Sequence, residues 1–530
     1  MANNSLFSED SWRRFMLKFG TSENDFELKT YPQLDPYFNF YKNNSAVKSL
    51  VADDSLDSIA KHPFLPFIKI LTKTPRLRYQ ENEKMYGLET KIRPIAFASH
   101  FDTYVYSYYS FVLTEKYQQY IKSKGFDECV LAYRSDLDGK CNIQFAKEVF
   151  DVVKFKIERD RTCTAIALDI TGYFDNIDHL ILKEKWCKIL GLKELPKDQY
   201  KVFRTLTKYS YLNKDSILKH FNIDLKKVDN WNSLLDLIPD SIAGDTFHQK
   251  FDLLRKRKLV VTNLPKTDAS GVQSFRGIPQ GSPMSAVLSN IYLIDFDEKL
   301  FNLSKKLNFT YRRYCDDLLI ICDPIKAAEI NKIVLAEIAL YNLVIQPKKT
   351  ELIEFRETIS GKIRGFNQKK INALNTVINS QNEQRFYKNL QYLGFEFNGS
   401  NIYIRPGSLS RYFRKMKDRI IKSVMMAYSD KSKTDKILKK QIFERYSHFG
   451  KRNFLSYAIK SSKKEYYSKS ANKLREGMDS VSIRRQLSAH FAILDNEIKN
   501  KSTQRFEYKE FIYNKKINEG KRAKKKNLKL

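Results

Sequence analysis

An α+β fold with more than one domain is what this 530-residue sequence predicts, and three observations carry the prediction. A hydrophobic content of 42%, with 13% aromatic, is enough to fill cores, and the length exceeds what one core serves. Short apolar, β-prone runs occur in hairpin pairs, Tyr311–Cys322 and Tyr392–Arg405, between stretches whose apolar residues recur at helical spacing. From Ser408 onward the pattern is helical alone, so a helical C-terminal region closes the chain.

Lysine and arginine number 94 against 61 acids, a net charge of +33, which points to a polyanionic partner and puts nucleic acid first among function classes. The opening Met1–Asp10 lacks the charged-then-apolar order of a secretory signal, and no apolar run reaches the length of a membrane span. The expectation is a cytoplasmic protein with no membrane attachment. Six cysteines (Cys129, Cys141, Cys163, Cys187, Cys315, Cys322) include no C-x-x-C pair, which argues against a zinc ribbon and against a disulfide framework.

In chain order, residues 1–60 are polar, with aromatics and prolines, and read as an N-terminal extension without an assigned role. In Lys91-Ile-Arg-Pro-Ile-Ala96, Lys91 and Arg93 alternate with apolar neighbours, so both project from one face of a strand. Asp102–Tyr120 has aromatic and aliphatic residues at helical spacing and reads as packed core, and Asn142–Phe150 reads as an amphipathic helix. Thr164–Ile170 is a buried strand interrupted by one acid, Asp169, which is costly to bury unless paired or bound to metal. The chain then turns at Gly172, passes Tyr173-Phe174-Asp175-Asn176 and enters a helix that closes at Gly191. Residues 200–262 read as a helical, charged insertion.

Next comes Phe275-Arg-Gly-Ile-Pro-Gln-Gly-Ser-Pro-Met-Ser285, a loop whose glycines allow close backbone approach to a ligand, followed by a helix from Ser285 to Leu300. Tyr314-Cys315-Asp316-Asp317 follows at the tip of the first hairpin, where a tight turn holds two adjacent carboxylates whose repulsion a divalent cation would relieve. Ala327–Leu340 is a helix, and Leu343–Thr350 returns as a strand ending in Lys348 and Lys349. Beyond Ser408, Leu409, Tyr412, Phe413, Met416, Ile420 and Val424 form an apolar stripe, with Arg411, Arg414, Lys415, Arg419 and Lys422 on other faces. Further helices follow to Leu494, and the lysine-rich tail reads as disordered.

In that order these pieces resemble a reverse transcriptase. Asp169-Ile-Thr-Gly-Tyr-Phe-Asp-Asn-Ile-Asp178 resembles the family's first catalytic motif, Gly277-Ile-Pro-Gln-Gly-Ser-Pro283 the second and Tyr314-Cys-Asp-Asp317 the third; Lys348-Lys-Thr350 and Leu393-Gly-Phe395 resemble the two that follow. Five ordered motifs over residues 60–430 are far more specific than any one alone. The resemblance implies a right-hand polymerase with a helical C-terminal region: an extension at 1–60, fingers at 61–163, a palm with an antiparallel sheet at 164–400, carrying the insertion at about 200–262, a thumb and C-terminal helices at 401–500, and a basic tail at 501–530.

The resemblance also implies roles. Asp169, Asp316 and Asp317, with the Ile170 carbonyl, would hold two Mg²⁺ ions, with Mn²⁺ as a substitute. Arg93, assisted by Lys91, would hold the triphosphate, Gln280 would lie beside the nascent base pair, and Phe174 would lie under the incoming sugar. Lys349 would serve as proton donor or charge partner for pyrophosphate, a role open to Lys348 as well. Implied partners are an RNA template, including a cognate structured non-coding RNA, the dNTPs and the DNA product, with a homo-oligomer left open.

There is no C-terminal zinc or H-N-H pattern and no convincing RNase H acidic cluster, and the Val-Thr-Gly signature of retron thumbs is missing. Arg93-Pro-Ile with His100, Ala132-Tyr-Arg134, Gly450-Lys-Arg-Asn-Phe454 and Arg484-Arg-Gln486 are similar to the bacterial antiviral group, the abortive-infection and defence-associated reverse transcriptases. Two further classes stay open on the same palm: a template-independent or protein-primed DNA polymerase, and a catalytically idle RNA-binding scaffold.

Overall fold

Two long strands, Phe67–Gln80 and Met85–Phe97, pair antiparallel with Thr72 opposite Arg93 and Thr74 opposite Lys91. Lys91 and Arg93 are half-buried while Ile92 between them is 53% exposed, which is the face alternation expected of a strand. The computed structural model describes residues 5–19, 31–80, 85–225, 233–267, 271, 273–375, 377–429, 432, 436–469 and 471–527.

The insertion is not simply helical, as expected. Ser210–Asn213 pairs in parallel with Phe67–Lys69, and Val260–Thr262 pairs antiparallel with Ser210–Leu212, so the two long strands become a four-stranded sheet. Three- and four-residue strands show too little alternation to be read from sequence, and the neighbouring strand decides their conformation. Leu212, Ile217, Leu235, Ile238 and Phe251 of the insertion bury themselves with Leu34 and Ile68 in one cluster.

The N-terminal residues are likewise part of the fold. Helices Glu9–Leu17 and Phe40–Val51 bury Trp12, Phe15 and Phe40. Those rings meet the core helix His100–Ser123, with Phe40 stacked on Tyr104 at 4.1 Å and Phe15 edge-on to Tyr108 at 5.4 Å. Asp35 accepts from the backbone N–H groups of His100 and Phe101 and so caps that helix, next to the Ser99 cap. His100 thereby has a structural partner.

The chain divides into two compact units, one of Met1–Asp136, Ala167–Ile320 and Ala328–Thr350, the other of Leu137–Ile166, Ile321–Ala327 and Glu351–Leu530. The strand Cys163–Asp169, which enters the first unit at Ala167, lies beside Asp317–Cys322, which lies beside Thr310–Tyr314. Leu343–Thr350 does not form the expected strand: it makes a single bridge, Ile345 to Ile170, and then a short 3-10 turn, Pro347–Lys349. Proline at 347 cannot donate to a ladder, so pairing stops there.

In the second unit Glu351–Glu357 pairs antiparallel with Ile363–Asn367, and Leu390–Tyr392, Phe395–Phe397 and Ile402–Ile404 form a three-stranded antiparallel sheet against which Phe150 stacks through Phe397. Helix Pro406–Ala427 buries Tyr412, Met416, Ile420 and Val424 as its stripe predicts. Glu465–Ser468 and Lys473–Glu476 form a hairpin inside the region expected to be all helix, and the tail continues as helix His490–Asn527 instead of being disordered. The α+β class holds, and among the described residues no helix is long and apolar enough to cross a membrane.

Candidate active site

The first unit brings Asp169, Asp316 and Lys349 together. Cys163–Asp169 ends at the acid, and the two-residue turn Cys315-Asp316 closes the neighbouring hairpin. Cys315 takes a positive φ of 57°, a conformation that suits hairpin turns and that non-glycine residues adopt only at a cost. The Ile170 N–H donates to the Asp316 carbonyl at 3.1 Å, tying the end of one strand to the tip of the hairpin. On the other side, Gln346 N–H donates to the Asp169 carbonyl and Thr171 N–H to the Val344 carbonyl, each at 2.8 Å. That pair of bonds sets the turn that delivers Lys349, whose Nζ meets Asp169 Oδ1 at 2.5 Å.

The electrostatics are those of an acidic centre wanting a cation. Burial first, and beyond it the charge of Asp169, hold the Asp316 carboxyl above the ordinary carboxylate range, against the opposing pull of its own backbone N–H and of Lys349. Lys91 is pushed down by burial, then by the charges of Arg93, Arg76 and Lys349, while Asp169 pulls it back up. Lys91 and Lys349, 258 positions apart, therefore feel one another and the same acid.

Hard oxygen donors of this kind suit Mg²⁺ or Mn²⁺, and the Lys349 ammonium already sits on Asp169 as a monovalent cation would. The donor set is open, however. Asp317 is exposed at the first position of its strand, and among the described residues no three His, Cys, Asp or Glu side chains gather into a metal cage. The donors fit a divalent cation in chemical type, with Asp169 and Asp316 as the pair whose charges interact.

The remaining expected residues are positioned by the glycine loop. Ala96 N–H donates to the Gln280 carbonyl at 2.7 Å, which fastens the loop to the strand bearing Lys91 and Arg93. Gly281 has φ +115°, and a Cβ there would come within 2.7 Å of Ile95 Cγ2 and 2.9 Å of the Ala96 carbonyl oxygen, so only glycine permits this approach. Ile278 N–H donates to the Phe174 carbonyl at 2.9 Å, leaving the half-buried Phe174 ring on the short helix Tyr173–Asn176 beside the loop. Ile170 is buried, and the bridge to Ile345 uses the groups on either side of it, not its own carbonyl.

A buried pair beneath the hairpin escaped the sequence reading. Arg313, fully buried, donates from Nε to Asp297 Oδ1 at 2.7 Å and from its two terminal nitrogens to Asp297 Oδ2 at 2.5 Å, to Asn290 Oδ1 at 3.2 Å and to the Cys315 carbonyl at 3.1 Å. Tyr311 Oη adds a bond to Asp297 at 2.8 Å. The signal was present: Tyr311 and Arg313 share the buried face of the strand Thr310–Tyr314, and an arginine on a buried face requires an acid. The Ala132-Tyr-Arg134 motif is wired to the same place, since Asn290 Nδ2 donates to the Ala132 carbonyl and Leu131 N–H to the Arg313 carbonyl. Gln486 of Arg484-Arg-Gln486 instead clasps the backbone of Ile404 in the second unit.

Residues 239–397 match the family model described as Reverse transcriptase (RNA-dependent DNA polymerase). The match takes in Gln280, Asp316, Asp317 and Lys349 and leaves Lys91, Arg93, Asp169, Ile170 and Phe174 outside it. Over 43 residues, 8% of this chain and 9% of the relative, the sequence is 46% identical to the retron Mx162 reverse transcriptase of Myxococcus xanthus. Among solved structures, apo telomerase from Candida tropicalis truncated from its C-terminal domain is 11% identical, with a TM-score of 0.36 over 70% of this chain and 61% of that one. Telomerase from Candida albicans with a fragment of telomeric RNA is 12% identical, with a TM-score of 0.35 over 89% and 60%. The chain thus spans less than two thirds of each of these relatives, and structural likeness at that level adds nothing to the fold assignment.

Proposed function

We propose that this chain is an RNA-directed DNA polymerase that copies a dedicated non-coding RNA in bacterial antiphage defence. The observation that carries the polymerase reading is the meeting of Asp169, Asp316 and Lys349 at the joined ends of two strands, with Lys91 in electrostatic reach. Residues 61–163 act as fingers, 164–400 as palm and 401–500 as thumb. Asp169, Asp316 and Asp317, with the Ile170 carbonyl, would hold a pair of divalent cations, which would supply activation of the primer 3′-hydroxyl and charge neutralisation for the departing pyrophosphate.

The protein's own groups do the rest. Arg93 and Lys91 hold the triphosphate from one strand face, Gln280 lies against the nascent pair from the loop fastened to that strand, and Phe174 underlies the sugar. Lys349, 43% exposed and paired with Asp169, balances or protonates the pyrophosphate.

Retention of an RNA is supported by the net charge of +33 and by a cavity of about 540 Å³ in the second unit lined by Arg411, Lys415, Arg445 and Arg452. None of these four forms an ion pair among the described residues, so their charge is available to phosphates. The antiphage assignment rests on the four short motifs that resemble the antiviral enzymes.

The test is to incubate purified protein with each dNTP alone and with all four, with and without the co-purifying RNA, and to sequence the product. DNA complementary to that RNA is expected, together with its loss in the Asp316→Ala/Asp317→Ala double variant while RNA binding persists. Product unrelated to any RNA favours the untemplated alternative, and undiminished incorporation by the double variant ends the enzyme reading.

A further inference from the structure

The insertion at 200–262 builds a second cavity in the first unit, of about 610 Å³, within the range of about 300–1,000 Å³ typical of small-ligand sites. Aromatic rings line it, of which Phe64, Tyr209 and Phe247 are not buried. Phe64 stacks on Tyr106 with centroids 5.0 Å apart, Phe67 lies against both Tyr106 and Tyr209, and Phe247, 37% exposed, stacks on Phe251. Cationic and titratable groups stand among the rings: Lys208 and His248, both exposed, and Arg255, whose guanidinium lies over Phe251 at 4.5 Å. Asp252, also lining the cavity, is 3.7 Å from Arg255, and is its single carboxylate.

Aromatic faces with cations beside them are the chemistry that recognises a nucleotide, the base by stacking and the phosphate by charge. An aliphatic ligand would leave the cations unused, and a purely anionic one would leave the rings unused. The cavity also adjoins the catalytic loop. Lys208 Nζ lies over the Phe275 ring at 5.4 Å, and Asn263 Nδ2, next to the lining Thr262, donates to the Thr207 and Arg276 carbonyls at 3.1 and 3.4 Å, linking the chain beside the cavity to the segment that opens the loop.

We infer that this cavity is an accessory nucleotide site, separate from the acidic centre, which takes one base with its phosphate, either within a single-stranded RNA or as a free nucleotide. The inference does not depend on polymerase activity, because it rests on different residues and would stand for a chain that only binds RNA.

Photo-cross-linking of the full-length protein in EDTA tests it, using a 4-thiouridine-containing single-stranded 12-mer in one arm and 8-azido-AMP in the other, with cross-linked peptides mapped by mass spectrometry. Cross-links are expected in the peptides bearing Tyr209 or Phe247–Phe251. Labelling by the 12-mer alone identifies an RNA strand as the source; labelling by 8-azido-AMP identifies a free nucleotide. Phe247→Ala, at an exposed position, should weaken labelling about tenfold or more, and Lys208→Glu on another wall should do the same by repelling the phosphate. The inference is overturned if neither probe labels these peptides while the 12-mer labels Arg445–Phe454, or if both variants, folded by circular dichroism, label as the unaltered protein does. Asp316→Ala/Asp317→Ala should leave this labelling unchanged, which separates failure here from failure of the polymerase reading.

Discussion

Replacing Asp297 by leucine removes the partner of a fully buried guanidinium and tests whether the acidic hairpin depends on what lies beneath it. Arg313 would keep its charge with only Asn290 and the Cys315 carbonyl to satisfy it, and Tyr311 Oη would lose its acceptor. Breaking a buried pair from one side costs about 3–5 kcal/mol, most of it from the stranded charge. Replacing both partners, Asp297→Leu with Arg313→Met, removes the charge with its partner and should recover most of that loss, since apolar pairs of similar volume are often as stable.

Activity should not recover in parallel. The bond from Arg313 to the Cys315 carbonyl is gone in the double variant, and that carbonyl precedes Asp316 in a strained two-residue turn. A displacement of about 1 Å at a reacting group can cost on the order of 100-fold in rate. Urea unfolding followed by tryptophan fluorescence reads the stability of the first unit, because the described tryptophans, Trp12 and Trp186, both belong to it, and dNTP incorporation reads the site. A single variant that loses less than about 1 kcal/mol would refute the buried-charge argument. A double variant that regains full synthesis would refute the positioning argument.

Three further outcomes follow from the same geometry. Since Asp316 has a raised pKa in the folded protein, the folded state binds more protons between the unfolded and folded values; its stabilising contribution is full below the unfolded pKa of about 3.9 and lost as pH rises through the folded one. Thermal melts in EDTA should therefore show Asp316→Asn gaining stability at pH 8, with the gain shrinking as pH is lowered toward the carboxylate range; a gain independent of pH would show that the charge is not the cause. Gly281→Ala forces a Cβ against Ile95 and Ala96 and imposes backbone strain, each costing about 1–3 kcal/mol, so the KM for dNTP should rise as the loop leaves the Arg93 strand, and an unchanged KM would contradict that coupling. Phe174→Ala should raise ribonucleotide relative to deoxyribonucleotide incorporation by about tenfold to a hundredfold, if the ring excludes a 2′-hydroxyl by overpacking; competition assays with both sugars measure it, and an active variant with unmoved preference makes the ring structural.

What the sequence by itself determined was local. Asp169 at the end of an apolar strand, the paired acids at a hairpin tip, the glycine loop before a helix, the Gly191 helix stop and the stripe of Pro406–Ala427 are all written in period, turn chemistry and capping, which act over a few residues. Tertiary structure alone decided which distant groups meet. Lys349 reaches Asp169 across 180 positions because one bridge at Ile170 and a proline-stopped turn bring it there, and no local pattern encodes such pairing. The same holds for the insertion's strands, too short for periodicity, and for the N-terminal aromatics, whose burial depends on the facing rings of Tyr104 and Tyr108. The Asp297–Arg313 pair lies between, since a buried-face arginine announces that it needs an acid, but only the packed fold names which of 61 acids supplies it.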